Sequence, residues 1–363
     1  MRYINQLEPD GLIENFLSHP PQNFKAWLTE SNVPVFSAKF DLLTTTDLDF
    51  QKKLQKIPLY NKWRKLLQPH TCFVGTTVSE YALLTNDLDA VQLAEQIKEQ
   101  YSANYPFLIV KDIPQDSPLQ NQLANDYSQQ FIQALKKNGF IEVEGQALAW
   151  VPVDYSSTDD YLSRLSASRR KDFRRKLKHR DKLDIQVMHS GDDYFFEADV
   201  LDYYYQLYLN VYEQSEVHFD LLTKDFFVTL LQDKQTKATI VTYYHQQELI
   251  GYNICFIVNG MLIDKYIGLK YPAARDFNLY FVSWFYNLEY AREHRLSCYI
   301  AGWTDPEVKA SLGAKFTFTK HMVYVRNPLL RAILRKISNR FESDRSWRDA
   351  HIETENNKRE CNE

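Results

Sequence analysis

The chain has 363 residues, of which 44% are hydrophobic and 25% charged, with a formal net charge of −4. That length points to two domains rather than one. The slightly acidic balance gives no general reason to expect nucleic acid, and only 10 glycines argue against a glycine-rich nucleotide-binding fold.

The opening stretch MRYINQLEPDGLIENFL carries acids early and has no uninterrupted apolar core, so it does not read as a signal peptide. Short helical patterns and a Pro20-Pro21 break precede a strand over 34–43. A polar helical stretch is expected over 47–68, with Trp63, Leu66 and Leu67 as its apolar side. A strand over 71–84, a helix over 89–102, a buried strand over 106–114 and a long helix over 121–140 follow. Gly139 supplies a helix stop, and IEVEGQALAWVPV (141–153) returns as strand. The polar stretch VDYSSTDD then suits a linker or a helix N-cap.

Residues 159–182 read as a helix with a dense positive face. Between Tyr161 and Lys182 stand ten Lys/Arg and two Asp. Arg170, Arg174 and Lys178 recur every four residues and share a face. That face is either a solvated surface or an anion site for the phosphates of CoA or a tRNA backbone. A strand over 184–190 and helices over 193–213 and 223–234 come next, with His218 and Asp220 on the loop between the helices.

Three strand-like runs span 238–269, joined at His245-Gln246-Gln247 and at Asn259-Gly260, so an antiparallel meander is expected. A helix over 276–294, a strand SCYIAGW, a helix over 305–314 and a strand over 315–325 complete this region. Leu329, Leu330, Ile333, Leu334, Ile337 and Phe341 then share a helix side beside Arg331, Arg335, Lys336 and Arg340. Docking on its own protein is the expected fate of this basic amphipathic helix, with peripheral membrane contact through 329–341 the alternative. Residues 348–363 are polar and expected to be disordered.

The order β-β-β-α-β-α-β, with SASRRKDFRRKLKHRD (166–181), HFDLLTKDFF (218–227) and AGWTDPEVKASLGAKF (301–316), resembles the GNAT superfamily of N-acyltransferases. Its Fem-like branch, related to the peptidoglycan-bridge aminoacyltransferases, is the nearer likeness. A repeated spacing, Gly139 to Val151 and Gly313 to Val325, suits two copies of one half-domain. The resemblance therefore implies an α/β (α+β) protein of two tandem GNAT-like halves, each a mixed, mainly antiparallel sheet flanked by helices. The expected division is a degenerate half at 1–155, a catalytic half at 156–328, the amphipathic helix at 329–347 and a tail at 348–363.

The same resemblance implies transfer of an acyl group from an acyl-CoA, acetyl-CoA included, to a small-molecule or peptide amine in the cytoplasm. Two alternatives are an aminoacyl-tRNA-dependent ligase and a non-catalytic binding protein on the same scaffold. Cysteines 72, 255, 298 and 361 lie far apart with no paired spacing, so no disulfide framework or metal site is expected.

Direct attack of the amine needs a base, a donor for the leaving group and an anchor for the donor's phosphates. Strict strand alternation puts Asp264 and Tyr266 on one face as base and donor. Lys309, a few residues before Leu-Gly-Ala, resembles the Fem-like pattern, which implies that it faces the V-shaped gap at the end of the fourth strand where the donor lies in the resembled fold. The tyrosine usual on this short helix in GNAT enzymes is absent, so Tyr299 or Tyr266 stands in. Lys270, Arg275 and Asn278 flank the expected phosphate loop, with Arg170 and Arg174 beside them as cofactor contacts. That loop has no glycine, and Pro272 removes an amide. His218, Asp220, Trp303 and Asp305 are the expected acceptor-site residues, and Asp305 before Pro306 also suits an N-cap.

Overall fold

The computed structural model describes residues 2–41, 56, 60, 64–215 and 218–337. Most of the helix expected at 47–68, with Trp63, and the tail from 338 on, with Phe341, lie outside the described residues. The eleven strands are β1 (Lys25–Leu28), β2 (Pro34–Lys39), β3 (His70–Val74), β4 (Phe107–Gln115), β5 (Ile141–Pro152) and β6 (Asp184–His189). They continue as β7 (Thr239–His245), β8 (Glu248–Val258), β9 (Met261–Leu269), β10 (Cys298–Gly302) and β11 (Lys315–Val325).

The chain forms two compact units. One comprises Arg2–Gln6, Asn23–Ala147 and the chain from Thr317 on; the other comprises Leu7–Gln22 and Leu148–Phe316. In the first unit the strand order is β1-β2-β3-β4-β11 and then the start of β5. β3 runs parallel to β4, and β11 pairs antiparallel with β4 from Phe318↔Gln115 to Val325↔Phe107. Its core packs the Ala90–Tyr101 and Gln122–Lys137 helices through residues such as Leu93, Ile97, Phe131 and Leu135 on Val74, Leu108 and Val110. In the second unit the end of β5 leads the order β5-β10-β9-β8-β7-β6. A single cut near residue 155 does not describe this division. The strand closing the first sheet comes from 315–325, and the one pairing with β10 comes from 149–152. Strand partners depend on which edges meet in space, and local sequence pattern carries no record of that.

The meander forms as the sequence indicates. Asn259 and Gly260 take φ of 50° and 73°, and Gln246 and Gln247 take 50° and 69°. These left-handed pairs make the tight turns that match strand twist. The strand expected over 71–84 stops at Val74 instead. Gly75 follows with φ 121°, and the Thr76 hydroxyl accepts from the Ser79 amide at 2.9 Å while donating to the Ser79 hydroxyl at 2.8 Å. Short polar side chains thereby turn the backbone out of the sheet.

The basic segment is two helices, Thr158–Ser163 and Ala167–Leu177, followed by a 3-10 turn at Arg180–Lys182. The Pro328–Ile337 helix does not dock through its apolar side. Leu329, Leu330 and Ile333 are exposed, while the Arg331 guanidinium lies 4.5 Å over the Tyr324 ring. A stacked cation is a stable contact in its own right, so the cationic side is the one that packs.

Tyr252 fixes the middle of the second unit. It is fully buried, stacks on Tyr204 with centroids 4.7 Å apart, and donates its hydroxyl to the Tyr204 carbonyl at 2.9 Å. A Cβ at Gly268 would sit 2.2 Å from that ring. Gly268→Ala is expected to cost about 1–3 kcal/mol, the usual price of overpacking a rigid site. Urea denaturation measures it, and an unchanged midpoint would show that the ring yields.

Candidate active site

β9 and β10 run parallel for three pairs, from Met261/Cys298 to Ile263/Ile300, and their pairing ends there. Both strands are irregular at that level. Against β8, Ile254 faces Tyr266 and the next residue, Cys255, faces Asp264, which leaves Lys265 as an extra residue in β9. Against β5, the register of β10 slips between Ile300 and Gly302. A bulge on one strand at the point where its neighbour departs opens a gap between them.

Asp264 lines that gap and collects donors from three elements. Asn253 Nδ2, on β8, reaches Oδ1 at 3.1 Å and Oδ2 at 3.0 Å. Asn287 Nδ2, on the Leu279–Glu293 helix, donates to Oδ2 at 3.0 Å. The Tyr299 hydroxyl, on β10, donates to Oδ2 at 2.9 Å. The Cys255 thiol lies 3.7 Å from Oδ1. Oδ2 is thus saturated, while Oδ1 holds one amide and a weak thiol donor. Burial pushes the Asp264 carboxyl above the usual range, opposed by the Asn253 and Tyr299 hydrogen bonds and by the Lys309 charge. Burial, then the neighbouring carboxylate, pushes the Cys255 thiol well above its ordinary value. A protonated thiol donates and is no nucleophile.

Lys309 is buried on the short Pro306–Ser311 helix and donates to the Ala301 carbonyl at 2.7 Å. The structure therefore brings Asp264 and Lys309 to one place, with Gly302 between them. A Cβ on Gly302 would lie 4.0 Å from both the Asp264 carbonyl and the Lys309 ammonium. Asp305 stands at the N-cap position with φ 52° but makes no side-chain cap. It is exposed, and its charge reaches Tyr271 and Tyr280. The expected capping role is not its role here, because a left-handed cap residue does not place its carboxylate over the following amides.

Tyr280 is a residue that strand and loop patterns did not single out. Its hydroxyl is buried without a hydrogen-bond partner among the described residues. Burial first, then the charges of Asp305 and Asp264, push its pKa up. Asn253 and Asn287 were missed as well. Each is an amide inside an otherwise apolar run, in ELIGYNICFIV and LYFVSWFYNLEY, and that misfit was the available signal.

Tyr266 does not join Asp264. The extra Lys265 reverses the alternation, so Tyr266 points to the opposite face and packs edge-on against Phe226, with centroids 5.9 Å apart. An aromatic chain continues there through Phe227, Tyr208 and Tyr212 to His218, whose ring meets Tyr212 at 5.0 Å. Burial first, and then the charge of nearby Asp220, push the Tyr208 and Tyr212 hydroxyls up. Trp303 is half-buried between β10 and the Pro306–Ser311 helix.

The expected phosphate contacts are mostly engaged elsewhere. Lys270 pairs with Glu248. Arg275 stacks 4.9 Å over Tyr271 and donates to Gln214 at 2.5 Å. Asn278 takes φ 51° and caps nothing with its side chain. The amides of residues 274 to 278 all donate within the turn, to the carbonyls of Lys270, Pro272, Ala273 and Arg275. Arg170 donates to the Ser163 and Leu165 carbonyls at 3.1 and 2.8 Å, closing the preceding helix. Arg174 pairs with Asp159 at 2.8 Å. Arg164, Arg169, Lys171, Arg174, Arg175, Lys178 and Lys182 are exposed, and of these Arg164, Arg174 and Arg175 pair with Asp154, Asp159 and Asp172.

A family model described as FemAB-like, peptidoglycan biosynthesis/recognition, matches residues 97–359. No curated protein sequence matches the chain. Among solved structures, the C-terminal domain of a protein assigned as a lysylphosphatidylglycerol synthetase in Agrobacterium fabrum superposes with a TM-score of 0.55 at 10% identity. That match covers 89% of this chain and 88% of that one. The L-PGS of Bacillus licheniformis gives 0.53 at 10% identity, over 92% and 96%. FemX gives 0.50 at 12% identity, over 91% and 100%. At these identities the likeness is one of fold. The family match spans well over half of the chain: the chain belongs to the FemAB-like family.

Proposed function

We propose that this protein transfers an acyl or aminoacyl group from an activated ester or thioester to an amine, by direct attack in the gap between β9 and β10. The observation that carries the reading is the asymmetry of Asp264. Its Oδ2 is fixed by Asn253, Asn287 and Tyr299, and its Oδ1 has room for a proton. A carboxylate whose pKa is raised toward neutrality is a better match to an attacking amine than an ordinary one. Lys309 holds the Ala301 carbonyl and supplies positive charge where the carbonyl oxygen of the donor becomes negative. Tyr280, with a buried hydroxyl and no other bond to make, is the group placed to protonate what leaves.

The donor is either an acyl-CoA or an aminoacyl-tRNA, and the 270–278 turn favours the second. Its amides are consumed internally and Lys270 is neutralised by Glu248, so the turn offers little to a pyrophosphate. Arg169, Lys171, Lys178 and Lys182, exposed cations of the basic segment, are better suited to a polyanion. Incubation of the protein with an acyl-CoA panel or with charged tRNA, together with amine pools, tests this by the mass of the product. Glu in place of those four cations is expected to lower tRNA-dependent turnover by about tenfold or more at low salt and to flatten its salt dependence. Turnover with acyl-CoA that ignores the four substitutions would assign the donor to CoA.

Asp264→Asn is expected to lower turnover by ~10²-fold or more. In the unaltered protein the acidic limb of the pH–rate profile lies above the ordinary carboxylate range, because the base form exists only above the raised pKa. That limb disappears in the variant. An acidic limb at the same pH in both proteins would show that another group titrates.

Tyr280→Phe removes only the hydroxyl. A structural role would leave turnover unchanged and, since an unpartnered buried hydroxyl is lost, raise the melting temperature. The proposed role predicts a fall in kcat of roughly tenfold or more with KM nearly kept and stability equal or higher. Full turnover would remove Tyr280 from the reaction.

A further inference from the structure

The Pro328–Ile337 helix is built inside out for a helix that belongs to a folded core. Leu329, Leu330 and Ile333 are exposed by 75%, 48% and 54%. At 100° per residue these three fall within one narrow arc, and Leu334 lies beside it. The side that meets its own unit carries Arg331, whose guanidinium covers Tyr324. Lys336 is exposed at the edge of the apolar arc, and Arg335, also exposed, lies on the opposite side near Arg331. The start of the helix is pinned: the Asn327 side chain accepts from the Leu329 and Leu330 amides at 2.9 and 3.2 Å, and Arg326 donates to the Ala103 carbonyl at 2.8 Å. The helix thus leaves β11 at a fixed place with its leucines turned outward.

We propose that this helix is a membrane-surface contact that lies on an anionic lipid bilayer, with Leu329, Leu330 and Ile333 in the acyl boundary and Lys336 at the headgroups. Charge complementarity selects this occupant. An apolar arc with Lys336 at its edge, on a helix whose other side carries Arg331 and Arg335 and no acid, matches a surface that is anionic outside and apolar beneath. No described helix is long and apolar enough to cross a membrane, so the contact is an adsorption. It is independent of the reaction assigned to the β9–β10 gap.

The test uses the full chain and sedimentation with two kinds of vesicle, pure phosphatidylcholine and an equal mixture with phosphatidylglycerol. The protein is expected to pellet with the anionic vesicles at least ~10-fold more than with the neutral ones, the preference falling as salt is raised. Replacing Leu329, Leu330 and Ile333 together by Ser is expected to lower the anionic partition at least ~10-fold, and Arg335→Gln with Lys336→Gln to do the same. All five side chains are exposed, and an unchanged melting temperature checks that the fold is intact. Three results would overturn the proposal. The protein stays in the supernatant with both vesicles, or the serine variant partitions like the unaltered chain. In the third, sedimentation velocity shows a dimer that the serine substitutions dissolve while vesicle binding is absent, which assigns the face to a second copy.

Discussion

The bulge at Lys265 is the constraint on which the second unit's chemistry depends. Without the extra residue, strand alternation would put Asp264 and Tyr266 on one face. With it, Asp264 turns toward the Leu279–Glu293 helix, and Tyr266 turns toward Phe226 and Phe227. The inserted residue is itself tied down. The Lys265 ammonium lies 3.7 Å from the Glu8 carboxylate, and both side chains are buried. Breaking one partner of such a pair strands a charge away from water, so the pair resists any slip that would restore regular pairing. One residue therefore splays the strands, aims the carboxylate and separates it from the aromatic wall behind.

How much of this could be read from the sequence follows from what kind of rule each feature obeys. The turn at Asn259-Gly260 obeys a local rule, since left-handed φ at both positions suits Asn and Gly, and the meander was legible. Asp264 and Lys309 were legible as polar residues in expected positions. The bulge was not, because a period of two contains no term for an inserted residue. The pairing of β11 with β4, and of β5 with β10, was invisible for a related reason: the partner is chosen by edges that meet only after folding. Charge counting misled in a third way. Ten cations between Tyr161 and Lys182 look like one surface, yet Arg170 is spent on helix carbonyls and Arg174 on Asp159.

The electrostatics of the Asp264 pocket are a balance rather than a one-sided shift. Removing a carboxylate from water raises its pKa, and the Asn253, Tyr299 and Lys309 interactions pull it back. A native pKa above the unfolded one means that the folded protein binds this proton more tightly. The group thus favours the fold at low pH, and that contribution is lost as pH rises through the native pKa. Above it the pocket holds an ionised, partly desolvated base that the fold must support elsewhere. Saturating Oδ2 with three donors limits this cost while leaving Oδ1 basic. The amide oxygens of Asn253 and Asn287, buried without partners among the described residues, mark where more hydrogen bonding could be accepted.

The first unit has a comparable splay point and handles it differently. β3 and β4 run parallel from Thr71/Phe107 to Val74/Val110, and their pairing ends there. Gly75 follows on one side and Lys111-Asp112 on the other, with a register slip against β11 at the same level. Here the lysine closes the opening: Lys111 donates across it to the Thr76 carbonyl at 2.9 Å and pairs with Asp112. Asp112 is buried, takes φ 56°, and its amide donates to His321 Nδ1 at 3.0 Å. Burial lowers the His321 pKa, so its ring stays neutral and accepts that bond. In the second unit Lys309, on the helix after β10, instead bonds the Ala301 carbonyl near the end of that strand and leaves Asp264 facing the gap. Two similar openings thus differ in whether a lysine spans the gap or borders it. Only the bordered one keeps a carboxylate oxygen facing its gap, and this is the physical reason to propose the reaction between β9 and β10.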